Sequence, residues 1–309
     1  MGAHDLRIHP SVSARLVSIH GAQIREDSVF TNDRGEEKKG IRKNAEKALE
    51  KLRDILPLVL ASDEVVLYVA RCQSPVSAFE QITLGWYIYY VTGVVVVLTN
   101  RRLLHFDVTR SGDWKRMLRA VSWGDLEEAK ITGWLSKNLA LKYRSGRKAK
   151  YWKLSRQDGK KIKVLVEAIY AGGRESSSAQ TMTSLCPQCR AELTPRVYDC
   201  AKCGFAFKDE KTMVRRSWLI PGGGYLYTRH WFLGIGDFLV EAYLLILVLT
   251  TVLIGAGVIV DTPREPGDEP LAGAAAWAAA AILAAVLGVE KVLTVHHCRR
   301  FIRDFMPKN

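Results

Sequence analysis

Two long uncharged runs dominate the hydrophobic pattern of the chain, at 242–260 and 271–289, and each contains 19 residues. A helix rises about 1.5 Å per residue, so each run spans roughly 28 Å, close to the hydrocarbon thickness of a bilayer. The second run is mostly Ala, whose insertion depends on packing against the first helix. We predict a transmembrane hairpin with helices at 237–260 and 271–293 and an external loop at 261–270. The alternative is a buried hairpin in a soluble bundle.

The orientation of this hairpin follows from the charges that flank it. The loop carries one basic residue, Arg264, whereas the segments on the other sides of the runs are rich in Lys and Arg. Positive residues beside short loops stay in the cytoplasm, so both termini are predicted there, including a basic tail at 294–309. Residues 1–6 lack the apolar core of a signal peptide, and the first segment is therefore expected to remain in the cytoplasm.

Residues 61–172 change to short apolar runs separated by turn residues. The runs lie at 65–69, 94–98, 103–106, 126–131, 139–143 and 151–154. Period-two alternation with close turns predicts an antiparallel sheet or barrel. A helix is predicted after it at 158–170, because Ile162, Leu165, Val166 and Ile169 share one helical face.

The segment before this domain, residues 1–60, is predicted to be helical and partly flexible. Residues 41–60 have the apolar spacing of an amphipathic helix that ends near Pro57, and we expect this helix to dock on the barrel. Residues 1–40 have mixed charge and no clean period, which is typical of partly flexible chain. A Gly- and Ser-rich stretch at 173–183 predicts a flexible linker after the domain.

Four of the six cysteines form two C-x-x-C pairs, Cys186 with Cys189 and Cys200 with Cys203. Two facing turns of this kind present four thiolates, the tetrahedral set of a closed structural Zn²⁺ site. A redox dithiol, a pair of disulfides and an iron–sulfur cluster are the alternatives. The segment at 184–208 resembles the short zinc ribbons common in bacterial proteins, with Arg190 where many members have Gly. Cys72 and Cys298 have no partner motif and are expected to be buried or interfacial thiols.

The stretch at 97–104, VLTNRRLL, is a hydrophobic strand that ends in T-N-R-R-L and leads into another strand. With the step at 121–127, VSWGDLE, it resembles the bacterial pleckstrin-homology-like (PH-like) domains. The resemblance covers about 110 residues, and it implies a barrel plugged at one end by the terminal helix and used as a binding scaffold. Residues 73–86 form an insert relative to a minimal domain of this family.

A glycine-rich segment precedes the first apolar run within the juxtamembrane region 215–236. It reads PGGGYLY at 221–227. No Gly-Lys-Ser/Thr follows, which excludes a P-loop. The segment resembles the PGxGxxY start of small bacterial two-helix membrane modules, which implies a short interfacial or re-entrant segment.

The net charge of +13 is concentrated in residues 101–200, which hold 21 Lys and Arg against 10 Asp and Glu. Such a field attracts nucleic acid, anionic lipid or acidic protein, and charge alone does not choose among them. We take Arg101, Arg102, Arg147 and Lys148 as candidate residues for binding an anionic ligand. The alternative is that these cations only solvate strand edges and turns.

Acidic residues lie at matching depths of the two predicted helices: Asp237 and Glu241 on the first, Glu290 on the second. Ionisable groups in membrane helices can mark a proton or ion path. The simpler hypothesis is that they reach headgroups or pair across the hairpin. Elsewhere the sequence shows no nucleophile–base set with recognisable spacing, so we predict that the protein is not an enzyme.

Together these patterns predict an α+β multidomain membrane protein with a PH-like antiparallel β-barrel or sandwich, a zinc ribbon and a two-helix transmembrane hairpin. The predicted function is a membrane-anchored, cytoplasm-facing binding or adaptor protein in the inner membrane of a bacterium, with anionic lipid headgroups or a protein as partner. A membrane-tethered regulator associated with nucleic acid has weaker support, because the ribbon carries few basic residues. A small membrane transport component is the third hypothesis.

Overall fold

The computed structural model of the chain describes residues 15–171, 180–259 and 273–308. They belong to two compact units, one ending at Phe205 and the other beginning at Ala206. Residues 1–14, most of the predicted linker and the predicted external loop lie outside the described residues. The described part is a mixed α+β structure, as predicted.

The first unit consists of a large sheet with helices on its faces. Its elements are β1 (Leu16–Ile19), β2 (Ala22–Arg25), α1 (Glu26–Val29), α2 (Lys39–Lys51), α3 (Leu56–Val59), β3 (Val66–Gln73), α4 (Ala78–Leu84), α5 (Ile88–Val91), β4 (Gly93–Thr99), β5 (Arg102–Val108), β6 (Trp114–Ser122), β7 (Leu126–Thr132), β8 (Lys137–Tyr143), β9 (Lys148–Leu154), α6 (Arg156–Ala171) and β10 (Thr183–Leu185). The strand order is β10-β6-β5-β4-β3-β9-β8-β7, and each neighbouring pair is antiparallel. The β1–β2 hairpin joins β3 through a parallel pairing of Ile24 with Val66. The predicted antiparallel sheet is thus confirmed.

Strand β4 is buried on both faces, which explains why its sequence is a continuous apolar run instead of an alternating one. Val94, Val96 and Leu98 belong to a core that α6 covers. Val95 and Val97 belong to a second core on the opposite face, which α2 and α3 cover. The prediction of period-two alternation was wrong for this strand, since one-sided burial is what produces alternation.

The T-N-R-R turn between β4 and β5 is a hydrogen-bonded junction with the chain before β3. The Arg102 guanidinium donates from Nε to Glu64 Oε1 at 2.9 Å and from a terminal nitrogen to Oε2 at 2.8 Å. The Thr99 hydroxyl donates to the same carboxylate at 2.7 Å, and the Asn100 side-chain oxygen accepts from the Val65 N–H at 2.8 Å. The Glu64 side chain is fully buried. This turn therefore holds two parts of the sheet together.

The amino-terminal region is described from residue 15 onward, and the prediction that part of residues 1–40 is flexible stays a prediction. Residues from 15 onward form the β1–β2 hairpin and α1, and Ile24, Val29 and Phe30 are buried in the second core. These strands have four residues each, too few to give a clear period in the sequence. The helix predicted at 41–60 divides into α2 and α3, with Pro57 in the first turn of α3.

Helix α6 confirms the prediction made for 158–170. It spans Arg156–Ala171, and the four apolar residues that define its predicted face are all buried. The face packs in the core that also holds the even-numbered residues of β4. The helix therefore covers one side of the sheet directly after β9.

The second unit is helical, with α7 (Glu210–Leu219), α8 (Gly223–Tyr227), α9 (Trp231–Gly255) and α10 (Gly273–Arg303). Helices α9 and α10 are long and apolar enough to cross a membrane, by length and composition. Both differ from their predicted bounds: α9 begins before 237 and ends at Gly255, and α10 continues past 293. The first part of the predicted basic tail is therefore helical. Its residues Val295, Cys298, Phe301 and Ile302 are buried.

The glycine-rich segment PGGGYLY forms the tight turn into α8. Gly222 has a φ of +64°, and a Cβ there would clash with the carbonyl oxygen of Gly234 in α9. A Cβ at Gly224 would clash with the Ser217 hydroxyl of α7. Side chains are excluded at these positions because three helices approach each other closely. The segment is thus a packing motif of the helical unit.

Candidate metal centre

The four cysteines of the two C-x-x-C pairs lie together. The Sγ atoms of Cys186 and Cys203 are 3.6 Å apart, and those of Cys189 and Cys200 are 3.5 Å apart. All four sulfurs lie within 4.8 Å of one another. A Zn–S bond of about 2.3 Å gives sulfur–sulfur edges of about 3.8 Å in a tetrahedron, so the spacing fits a single ion. The cysteines are not joined as disulfides.

Two equivalent backbone turns present these sulfurs. In the first, the Arg190 N–H donates to the Cys186 carbonyl at 2.9 Å, and the Cys186 N–H donates to the Ala191 carbonyl at 2.8 Å. In the second, the Gly204 N–H donates to the Cys200 carbonyl at 2.8 Å. Each turn brings both sulfurs of its pair to one side. The repeated C-x-x-C spacing in the sequence thus corresponds to a repeated turn.

Both turns end in a residue of positive φ, 62° at Arg190 and 69° at Gly204. This conformation costs a non-glycine residue roughly 1–2 kcal/mol. The Arg190 side chain donates hydrogen bonds to the carbonyls of Leu58 at 3.0 Å and Gln188 at 2.9 Å. These bonds offset part of the backbone cost.

Replacing Gly204 by Ala is expected to weaken zinc binding about fivefold, which corresponds to about 1 kcal/mol of left-handed backbone strain. No atom lies within 4 Å of the added Cβ, so the loss of affinity reports the backbone strain at positive φ and not a steric clash. Competition with a chromophoric zinc chelator measures it. Gly146→Ala is the matched control, because Gly146 has a φ of +80° with equally open surroundings but lies in the β8–β9 turn. Equal zinc affinity of Gly204→Ala and the wild type would contradict this account.

Burial and backbone donors act in opposite directions on these thiols. Burial raises the pKa of Cys186 to about 12. Burial also acts to raise the pKa of Cys200, but the N–H groups of Cys203 and Lys202 outweigh it and lower that pKa to about 7. A bound cation would favour the thiolate form at all four positions. Protons therefore compete with the metal, and its affinity should increase with pH through neutrality.

The first turn is attached to the large sheet. Strand β10 pairs with β6 through Thr183, Ser184 and Leu185, immediately before Cys186. The Leu185 side chain is buried in the second core. The predicted linker at 173–183 is thus too long, because Thr183 already belongs to a sheet strand. Rigid attachment fixes the position of the first pair of sulfurs.

The four residues predicted to bind an anionic ligand have different environments. Arg102 forms an ion pair with the buried Glu64, so its guanidinium is not available on the predicted anion-binding surface. Arg101 forms an exposed ion pair with Asp63 at 2.6 Å. Arg147 and Lys148 are exposed in the β8–β9 hairpin. Arg102 looked available in the sequence because its partner lies 38 positions earlier.

A buried polar network within the sheet is a feature that sequence reasoning missed. The His105 ring has no exposed surface, and its Nδ1 lies 2.8 Å from the Tyr151 hydroxyl. Its Nε2 lies 3.2 Å from Asp107, which also pairs with Arg119 at 3.4 Å. Burial raises the pKa of Tyr151 well above its usual value. His105, Asp107 and Tyr151 are buried, and the Arg119 side chain is 14% exposed, so the network contributes mainly to the sheet interior.

The four-cysteine cluster is therefore the best-defined candidate site of the first unit. It has no open coordination position for a substrate, because four thiolates complete the tetrahedron. Cys72 and Cys298 are both buried. No family model matches the chain, and no curated protein or solved structure matches it.

Proposed function

We propose that the chain is a membrane-anchored, non-enzymatic binding protein whose sheet unit contacts anionic lipid headgroups. The two apolar helices are the anchor, and the cysteine cluster holds a structural Zn²⁺ that stabilises the end of the sheet unit. The protein belongs in the inner membrane of a bacterium with both termini in the cytoplasm. Four features support this proposal.

The exposure of α9 supports a membrane anchor over a soluble bundle. In its most apolar stretch of 18 residues, 6% of the residues are buried within the described protein. The core helix of a soluble protein would be mostly covered. Lys and Arg flank the helices on the side of the chain termini, which favours a cytoplasmic position for both.

The order of elements in the first unit supports the PH-like assignment. The seven strands β3 to β9 form two antiparallel meanders, β3–β6 and β7–β9, which are joined by the pairing of β3 with β9, and α6 follows β9 directly. The T-N-R-R-L stretch ends one strand and begins the next, as the resemblance implies. A fold of this kind supplies a scaffold, and the ligand has to be inferred from the surface.

The observation that carries the proposal is an apolar insert between β3 and β4, residues 78–91, which forms α4, a short 3₁₀ turn and α5. Ile82 is 81% exposed and Trp86 is 59% exposed. Phe79, Tyr89 and Tyr90 are also exposed. Clustered exposed apolar side chains of this size mark an interaction surface.

Cationic side chains accompany the aromatic rings of the insert. The Lys153 ammonium lies 3.4 Å from the centroid of the Tyr89 ring. The Arg110 guanidinium lies 5.2 Å from the centroid of the Tyr90 ring and donates to its hydroxyl at 2.8 Å. Trp and Tyr at the headgroup level with adjacent Lys and Arg are the composition of a surface that binds anionic bilayers. The chain's own membrane helices keep such a surface at high local lipid concentration.

Vesicle co-sedimentation of zinc-loaded residues 1–205 tests this function. The wild type should bind vesicles that contain anionic lipid, and the double variant Ile82→Ser/Trp86→Ser should bind at least about tenfold more weakly, because each buried apolar side chain contributes roughly 1.5–3 kcal/mol. Trp134→Ser/Leu135→Ser is the matched control, since both residues are exposed in the β7–β8 turn far from the insert in sequence. Circular dichroism verifies that all fragments are folded.

Two outcomes would contradict this surface. Unchanged binding by the insert variant, together with weak binding by Arg147→Ala/Lys148→Ala, would place lipid recognition at the β8–β9 hairpin. Absence of vesicle binding would reject the lipid ligand and favour a protein partner. Salt-dependent binding of DNA or RNA by the same fragment would favour the nucleic-acid hypothesis.

A further inference from the structure

Three carboxylates of the helical unit converge where α7 and α8 cover the α9–α10 pair. They are Asp237 and Glu241 of α9 and Glu290 of α10. One oxygen from each lies within 4.8 Å of the others. The sequence hypothesis that these groups pair across the hairpin accounts for part of this cluster, since Lys291 of α10 approaches Glu241.

Hydrogen bonds satisfy some of the carboxylate oxygens. Glu241 Oε2 accepts from the Lys291 ammonium at 2.6 Å and from the Gly222 N–H at 2.9 Å. The ammonium also donates to the Ser217 carbonyl at 2.7 Å. The Thr294 hydroxyl lies 2.6 Å from Glu290 Oε1 and 3.3 Å from Asp237 Oδ2, but its single hydrogen serves one of them at a time.

Two other oxygens have no donor. Glu241 Oε1 and Glu290 Oε2 are buried and have no hydrogen-bond partner among the described residues. Glu241 has no exposed surface. A buried carboxylate oxygen without a partner is strongly unfavourable. These atoms are an indication of a ligand that is independent of the clustering of acidic residues.

The charge of the cluster indicates what kind of ligand satisfies these oxygens. When all three carboxylates are ionised, the Lys291 ammonium offsets one of their charges and two negative charges are left. One divalent cation neutralises them. Oxygen-only donors from carboxylates favour hard cations such as Mg²⁺ and Mn²⁺ over Zn²⁺ or Cu²⁺.

We propose that Asp237, Glu241 and Glu290 form a binding site for one hard divalent cation that bridges α9 and α10. Lys291 and Gly222 hold Glu241 through its other oxygen, so Oε1 is oriented for the ion. Ionisable residues within membrane helices are retained mainly where they have a function, and cross-linking two helices of which one is Ala-rich is such a function. The site is separate from the cysteine cluster and does not depend on lipid binding by the sheet unit.

Titration of the zinc-loaded full chain in detergent micelles with Mn²⁺, followed by electron paramagnetic resonance, tests the site. The wild type should bind one Mn²⁺ with high affinity, and Mg²⁺ should displace it. Glu290→Gln and Asp237→Asn should each weaken binding roughly tenfold or more, because each removes a charged ligand. Glu210→Gln is the matched control, since Glu210 is an exposed acidic residue of the same unit, and it should leave binding unchanged.

Mn²⁺ binding that is absent in the wild type, or equally strong in both ligand variants, would overturn the proposal. Infrared spectroscopy of the wild type provides a test that does not depend on folding of the variants. Loss of a protonated-carboxyl C=O band on addition of Mg²⁺, or no such band with Mg²⁺ bound, supports the cation. A band that persists at saturating Mg²⁺ overturns it, because protons then neutralise the cluster.

Discussion

A chain carrying Cys186→Ser is expected to lose the zinc that we propose for the four-cysteine cluster, falling from about one equivalent to near zero after dialysis. Cys186 is buried and completes the sulfur tetrahedron with Cys203 at 3.6 Å. A neutral serine hydroxyl replaces neither the charge nor the length of the thiolate. Structural zinc contributes about 10–16 kcal/mol of apparent binding free energy in small zinc domains, so the residues around the two turns should lose their fixed conformation.

Elemental analysis and hydrogen exchange of the ribbon amides measure this effect. Cys72→Ala is the matched control, because Cys72 is a buried cysteine of the same unit, and it lies on β3 with its side chain in the first core. This variant should lose stability and keep its zinc. Full zinc occupancy in Cys186→Ser would contradict the site, and stoichiometric iron in the wild type would identify the alternative cluster.

The second large effect is expected for Glu64→Ala, which should lower the free energy of unfolding of the sheet unit by about 3–5 kcal/mol. The Glu64 carboxylate accepts from Arg102 in a bidentate arrangement and from the Thr99 hydroxyl. Its removal leaves a guanidinium that is three-quarters covered without its counter-charge. The loss of stability therefore comes mainly from the Arg102 guanidinium that is left without its carboxylate.

Urea unfolding of residues 1–205 measures the loss, and a double-mutant cycle with Arg102→Ala assigns it to the pair. Arg101→Ala is the matched control at the neighbouring position. Its ion pair with Asp63 is exposed on both sides, so the change should cost less than about 1 kcal/mol. Similar costs for the two arginines would reject a structural role that is specific to Arg102.

Local patterns in the sequence predicted the elements whose partners are close in the chain. The apolar face of α6 has a period of 3.6, and all four of its residues are buried. The two C-x-x-C pairs define both turns of the metal centre, because each turn is closed within six residues. The lengths of the uncharged runs predicted two helices able to span a membrane, although not their ends.

Features that depend on distant contacts were not predictable in this way. The continuous run in β4 arises from two cores, one of which is completed by α2 and α3 far upstream. Arg102 reads as a surface cation until its contact with Glu64 is known. The insert between β3 and β4 reads as irregular apolar chain, and only the exposure of Ile82 and Trp86 identifies it as a surface.

The position of β10 gives the metal centre a significance beyond local stability. Strand β10 pairs with the edge of β6 that faces away from β5, and this pairing involves three residues of β10. An uncovered β6 would present unpaired N–H and C=O groups, which serve as a template for strands of other molecules. Since β10 leads directly into Cys186, metal loss would release this cover. Bound zinc would then protect the protein from self-association, and the protein would aggregate when the cell is depleted of the metal.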